Sequence, residues 1–256
     1  MKKNILIVGN SAKESALAKL LSEEFNVFVA PGNDGMKEFA TVVDIRESSI
    51  IELLNFALEN DIFFTIASSE TAIKSDIFNM FNDNGLMIFA PTTEAAQFAT
   101  SRATAKKMFY KLRLPTPRFA VYEKKNLAID YLKNCDMPVV IKTDAHKTKN
   151  SVMVCPSMNI AKSFIEDCFF SGETKVIIED YVYGTNFSFY VITDGYKALP
   201  LGSVQDYKFA LDGDGGVLTD GMGACSPFTK LTYDHEDYLM NEIVYPIINF
   251  LSEGLK

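Results

Sequence analysis

The sequence predicts an α/β protein that opens as a doubly wound parallel sheet, on three observations. Short apolar runs alternate with amphipathic helical stretches from the first residues onward, the order that builds a sheet with helices on both faces. The first runs, Ile5-Leu-Ile-Val8 and Val27 to Ala30, are apolar throughout rather than alternating, as strands covered on both sides require. The chain has 256 residues, 48% of them hydrophobic and 23% charged, which suffices for a sizeable core and for two lobes.

Taken in order, Ile5 to Val8 is the first strand, and Gly9-Asn10-Ser11 turns into a helix with Ala16, Leu17, Leu20 and Leu21 among its apolar positions. Val27 to Ala30 and Thr41 to Asp44 are further strands, separated by the loop Pro31-Gly-Asn-Asp-Gly35. Ile50, Leu53, Leu54, Ala57 and Leu58 fall on one face of a helix, Phe63 to Ala67 is a strand, Ile73, Ile77, Met80 and Phe81 line another helix, and Met87 to Phe89 closes the series. After Pro91 a polar helical run, Thr93 to Leu112, leads to Pro115-Thr-Pro117, where extended backbone is forced. Beyond it come strand Phe119 to Tyr122, helix Leu127 to Lys133, strands Val139 to Lys142 and Val152 to Cys155, and a helix with Ile160, Ala161, Phe164, Ile165 and Cys168 on one face. Strands Val176 to Ile178 and Phe187 to Thr193 follow. The expected division is 1–91 for the first domain, 92–117 for a connecting helix and linker, 118–194 for a second lobe and 195–256 for part of a central domain.

Composition excludes several function classes. Lys plus Arg is 25 against 33 Asp plus Glu, a net charge of −8, so neither nucleic acid nor an anionic membrane is an expected partner. The apolar run after Met1-Lys-Lys-Asn4 is too short for a signal-peptide core or a membrane span, which predicts a cytoplasmic protein. Four cysteines without CxxC spacing and two histidines cannot assemble a zinc cluster, and the cysteines read as reduced, half-buried packing residues. With only His146 and His235, a Ser-His-Asp or Cys-His catalyst is not expected.

Five segments have the chemistry of a site, each beside a plainer reading. Gly9-Asn10-Ser11 lacks GxGxxG spacing, yet a helix start offers N–H groups to an anion; a capped strand–helix turn fits these residues equally. Lys142 ends the apolar strand Pro138-Val-Val-Ile-Lys142 and aims an ammonium at a phosphate or into solvent. Lys106 alone reads as a solvated helix face. Val176-Ile-Ile-Glu179-Asp-Tyr181-Val182 is a strand exit whose backbone could meet a purine edge while Tyr181 and Val182 cover its face, or a strand with a charged end. Asp212-Gly-Asp-Gly-Gly216 and Asp220-Gly221-Met222-Gly-Ala224 form a glycine-rich loop of ligand-binding or ordinary surface type, without the twelfth-position glutamate of an EF-hand.

In order and spacing, these pieces resemble the phosphoribosylamine-glycine ligases, ATP-grasp enzymes of purine biosynthesis. The likeness runs through Ile7-Val-Gly-Asn10, Val29-Ala-Pro-Gly-Asn33, Ser69-Glu70, Ile88-Phe-Ala-Pro-Thr92, Lys106, Leu114-Pro-Thr116, Val140-Ile-Lys142, Val176-Ile-Ile-Glu179, Gln205-Asp206, Lys208 and Gly221-Met-Gly-Ala224-Cys-Ser-Pro227. It implies an ATP-grasp lobe after the first domain and ligation of an acid to an amine through an acyl phosphate, with ATP and magnesium (Mg) as cofactors. It further implies that Lys106 and Lys142 hold ATP phosphates, that Glu179, Tyr181 and Val182 meet the adenine, and that Asn186 stands at a ribose-binding position where the family usually has glutamate. Gly9, Asn10, Ser11, Glu70, Gly221 and Met222 would contact phosphoribosylamine, glycine or analogues of them, with Asp206 and Lys208 catalytic. The family's glycine-rich lid is replaced here by Asp144-Ala-His-Lys147-Thr-Lys149-Asn-Ser151, in which Lys147 and Lys149 would substitute point charges for N–H groups. No metal ligand is expected within the chain, because the family's magnesium-binding Glu and Asn would lie beyond Lys256. A companion chain would supply them; otherwise the chain is a non-catalytic nucleotide or phosphoribosyl binder. A ligase for another acid and amine is the third alternative, favoured by Tyr207 and Phe209.

Overall fold

The computed structural model describes residues 2–144, 151–213 and 215–254, and the chain divides into two compact units, Met1–Gln97 and Phe98–Lys256. The first unit runs β1 (Asn4–Gly9), α1 (Ala12–Leu21), β2 (Asn26–Pro31), β3 (Thr41–Val42), α2 (Ile50–Glu59), β4 (Ile62–Ala67), α3 (Glu70–Lys74), α4 (Ile77–Asp83) and β5 (Ile88–Phe89). Its strands pair in parallel in the order β3-β2-β1-β4-β5. Side chains alternate across this sheet: Ile5, Ile7, Val27 and Val29 pack with Ala18 of α1 and Met36 on one face. Leu6, Val8 and Ala30 pack with Leu53, Leu54, Ala57, Ile77 and Phe81 of α2 and α4 on the other. That two-sided burial is why the central strand is apolar from Ile5 to Val8.

The expected boundaries shift where local capping overrides apolar periodicity. Residues 73–81 are not one helix, because Asp76 adopts a left-handed conformation, φ 64 and ψ 35, between α3 and α4; aspartate is among the few residues that tolerate it. The loop after Pro31 carries a 3₁₀ turn, Asp34–Glu38, and β3 stops at Val42 rather than Asp44. On α1 the buried positions are Glu14 and Ala18, whereas Ala16 and Leu20 face outward. Leu58, Met80 and Ile160 are likewise exposed.

The division between units falls within α5 (Thr93–Thr100), which is followed by α6 (Arg102–Lys111). The expected single helix over 93–112 is thus broken at Ser101, whose backbone is extended and whose hydroxyl accepts from Thr104 N–H at 3.1 Å, the N-cap role in which serine outcompetes helix continuation. Next come β6 (Phe119–Tyr122), α7 (Lys125–Leu132), β7 (Val139–Thr143), β8 (Val152–Cys155), α8 (Met158–Phe170) and β9 (Val176–Asp180). These strands form an antiparallel sheet in the order β6-β9-β7-β8. Val139, Ile141, Cys155, Val176 and Ile178 pack on α7 and α8, so alternation sends Val140, Lys142, Ile177 and Glu179 to the opposite face.

A second antiparallel sheet orders β10 (Ser188–Thr193), β11 (Ala198–Leu211) and β12 (Gly215–Cys225). The glycine-rich segment expected as a long loop is therefore mostly strand, paired to β11 with Asp206 opposite Ala224 and Tyr207 opposite Gly223. Glycine does not preclude a strand whose partner is long and rich in apolar and aromatic residues. α9 (Tyr233–Leu239), a π-helical turn at Met240–Val244 and α10 (Tyr245–Gly254) complete the unit. Among the described residues no helix is long and apolar enough to cross a membrane. The cysteines are free, but only Cys135 is half-buried; Cys155 and Cys168 are buried and Cys225 is exposed.

Candidate functional site

Three residues expected to share a site meet on the face of the β6-β9-β7-β8 sheet opposite α7 and α8. Glu179, on β9, is 3% exposed and receives two ammoniums, Lys142 Nζ at 2.8 Å from Oε2 and Lys106 Nζ at 3.2 Å from Oε1. The register explains the first contact: Lys142 lies opposite Ile177 and Val140 opposite Glu179, one diagonal step apart on the same face. The second comes from α6, whose Lys106 also donates to Thr116 Oγ1 at 2.6 Å and lies over the Phe119 ring. The Lys106 contact with Oε1 is a charge contact rather than an aligned hydrogen bond, so that oxygen is buried with no directed donor. Burial pushes the Lys106 ammonium below its ordinary value of 10.5, and Lys142 adds to this, against the opposing pull of Glu179. Two cations on one carboxylate leave a positive excess, which a polyanion can neutralise.

Arg102 and Thr116 join this group although their residue types did not single them out. Arg102 lies one helical turn before Lys106, and burial lowers its guanidinium against the raising influence of Glu179 and Asp144. The i, i+4 spacing of two cations on a helix with a serine cap was the available signal.

The other expected residues are more dispersed. Tyr181 and Val182 leave the end of β9, Tyr181 half-buried and in edge contact with Tyr183, Val182 exposed. Asn186 is exposed in the segment before β10. Asp206 and Lys208, two apart on β11, form an ion pair at 2.9 Å. Gly221 and Met222 are exposed on β12, and Gly221 has φ +135. Glu70 pairs with Lys74 on α3 at 2.9 Å. Lys147, Lys149 and Asp214 lie outside the described residues.

At the first turn, the capped form is what the structure contains. Glu14 is 1% exposed and turns its carboxylate back to accept from Ser11 N–H at 2.9 Å, from the Ser11 hydroxyl and from the Ser68 hydroxyl. These hydrogen bonds hold its carboxyl below the ordinary value of 4.5 even though burial, the largest influence, raises it. Gly9 is required there, since a Cβ would stand 2.7 Å from Glu14 Cγ and Cδ and its φ is +145. The helix start offered to an external anion is thus filled by an internal carboxylate.

Residues 100–255 match the family model described as phosphoribosylglycinamide synthetase, ATP-grasp (A) domain, and residues 3–99 match the N domain of the same synthetase. The chain belongs to the phosphoribosylglycinamide synthetase family. A phosphoribosylamine--glycine ligase of Neisseria meningitidis serogroup B is 34% identical over 252 residues, covering 95% of this chain and 60% of the relative. That of Lactococcus lactis is 35% identical over 255 residues, covering 98% of this chain and 62% of the relative. In structure, the Thermotoga maritima phosphoribosylamine--glycine ligase superposes with a TM-score of 0.80 at 23% identity, covering 98% of this chain and 62% of the other, which establishes the ATP-grasp fold. The chain therefore spans about three fifths of the length of these relatives.

The Lys106–Glu179–Lys142 group fits the phosphates of the nucleotide that this family implies, because its cations outnumber its anion. For a metal, no group of three or more His, Cys, Asp or Glu side chains converges among the described residues.

Proposed function

We propose that the chain binds ATP on the face of the β6-β9-β7-β8 sheet opposite α7 and α8 and uses it in joining glycine to phosphoribosylamine, the ligation that its relatives' names describe for them. The observation that carries the reading is the convergence of Lys106 and Lys142 on one buried carboxylate. In the resting protein Glu179 keeps both ammoniums pointed at one place; arriving phosphate oxygens then take over part of the charge that Glu179 balances. ATP would supply activation of the acid's carboxylate as an acyl phosphate. The chain's own contribution is positioning and charge neutralisation, with no nucleophilic side chain. Tyr181 and Val182 at the exit of β9 are suited to the adenine, Asn186 to the ribose, and Asp206 with Lys208 to the reacting acid and amine. In the first unit, Glu70 and the Gly9-Asn10-Ser11 turn are the proposed phosphoribosylamine contacts, the turn acting through its shape, since its helix start already holds Glu14.

Titration calorimetry with ATP and magnesium tests the reading. Saturable binding is expected, weakened in Lys142→Ala by about 1 to 3 kcal/mol, the loss of one charge-assisted contact. Absence of saturable binding at millimolar ATP would overturn it.

A further inference from the structure

The start of α6 and the ends of β7 and β8 are fastened together by contacts other than those that Glu179 makes. Asp144 Oδ1 accepts from Ala103 N–H at 2.8 Å and from the Ser101 hydroxyl at 2.9 Å, and its backbone carbonyl accepts from Arg102 N–H at 3.2 Å. Carboxylate and carbonyl thereby each satisfy one free N–H at the positive end of the helix. The Arg102 guanidinium reaches the same place from the side: Nη1 donates to Thr143 O at 2.7 Å and Ser151 O at 3.3 Å, and Nη2 to Ser151 Oγ at 3.3 Å. Since Thr143 N–H donates to Ser151 O at 2.9 Å, Arg102 spans a backbone pair and holds both strands at once, which a planar multi-donor group can do and a single ammonium cannot.

We propose that Arg102 and Asp144 are positioning residues that set the spacing between Lys106 and Lys142. The proposal rests on the nucleotide reading above. Lys106 follows Arg102 by one turn on α6, and Lys142 precedes Thr143 and Asp144 on β7. Each lysine is thus carried by an element fastened within a few residues of it, and the fastening joins those two elements. Both ammoniums ride on long stems, and Glu179 alone aligns only their tips. Fixing the bases of the stems limits how far the ammoniums can spread when phosphate replaces part of the carboxylate's hold.

Arg102→Ala, Arg102→Lys, Asp144→Ala and Asp144→Asn test this, with Arg118→Ala as control, since Arg118 pairs with Asp180 at an exposed position. ATP affinity is read by calorimetry, and the Lys106 titration midpoint is read by ¹³C NMR without nucleotide. Arg102→Ala and Asp144→Ala should weaken ATP binding about 3- to 30-fold, and the Lys106 midpoint should rise toward 10.5 as the ammonium gains water. Arg102→Lys and Asp144→Asn, the milder changes, should fall between these and the wild type, and the control should move neither readout. Unchanged affinity in Arg102→Ala, beside a loss in Lys142→Ala, overturns the positioning role. So does full recovery in Arg102→Lys, which would mean that charge alone matters. If the wild type does not bind ATP the nucleotide reading fails, and the Lys106 midpoint then decides the fastening by itself: a shift in Asp144→Ala upholds it and no shift refutes it.

Discussion

Glu179→Ala tests whether the sheet face is built around a surplus of positive charge. The change removes the carboxylate that Lys142 Nζ approaches at 2.8 Å and Lys106 Nζ at 3.2 Å. Removing one partner of a buried ion pair costs about 3 to 5 kcal/mol, because the remaining charge is left uncompensated. The Lys142 side chain is 26% exposed and can turn to water, whereas that of Lys106, at 11%, is left with the Thr116 hydroxyl and the Phe119 ring, neither of which carries a charge. A loss near the lower end, about 3 kcal/mol, is therefore expected in urea unfolding followed by far-UV circular dichroism at pH 7. Glu179→Gln keeps the shape but not the charge, so it should be nearly as damaging. The deficit has a pH signature. With Glu179 gone, burial and Lys142 still depress Lys106 and nothing named opposes them. Between that folded value and the ordinary 10.5 the unfolded chain binds more protons, so stability rises with pH in that window and the variant should regain ground in alkali. Inorganic triphosphate should stabilise Glu179→Ala more than the wild type, since it supplies the missing anion; at one hundred times its Kd the gain would be about 2.7 kcal/mol. A variant within about 1 kcal/mol of the wild type, with equal response to triphosphate, would refute this account.

Gly9→Ala should cost about 2 to 4 kcal/mol, combining a strained φ of +145 with overlap onto Glu14, whereas Gly85→Ala, with φ +74 and nothing within 4 Å, should cost about 1; equal losses in chemical denaturation would contradict the close-approach argument. Glu14 has a lowered folded value, so its contribution is present above the ordinary 4.5 and is lost as pH falls through that value toward the folded one. Glu14→Gln should therefore unfold more readily at neutral pH and show a flatter acid limb, and an unchanged acid limb would count against it. A thiolate-selective reagent at pH 8 should label Cys225 quickly and Cys135 slowly; Cys155 and Cys168, which burial pushes up to about 11, should react only on unfolding. Rapid labelling of all four in the native protein would disprove that burial.

The parallel first sheet was legible because its strands are buried on both faces, so Ile5 to Val8 and Val27 to Ala30 carry the signal without help from partners. The helix breaks at Ser101 and Asp76 were not, since the first sits inside a polar run of helix-forming residues and the second inside a run of good apolar spacing, and they act through a cap and a left-handed residue that periodicity ignores. β12 escaped for the opposite reason. Gly215 to Ala224 has a loop's composition and takes its strand form from pairing with β11, a non-local contact invisible in the segment itself.

In the site, Lys106, Lys142 and Glu179 were each ambiguous alone, and the register of β7 against β9 is what brings Lys142 to Glu179. The least legible feature concerns helix starts. The turn at Gly9 to Ser11 suggested backbone N–H groups waiting for an anion, and α6 offers a similar start. In the folded chain Glu14 returns to the first and Asp144 caps the second. Both carboxylates belong to the chain, so neither helix dipole is left to hold phosphate unaided. On the described sheet face the charge of a bound nucleotide would then fall to lysine ammoniums, point charges on flexible stems that must be aimed by their surroundings. Affinity there would depend on Glu179, Arg102 and Asp144, which determine where the ammoniums point, as well as on Lys106 and Lys142 themselves.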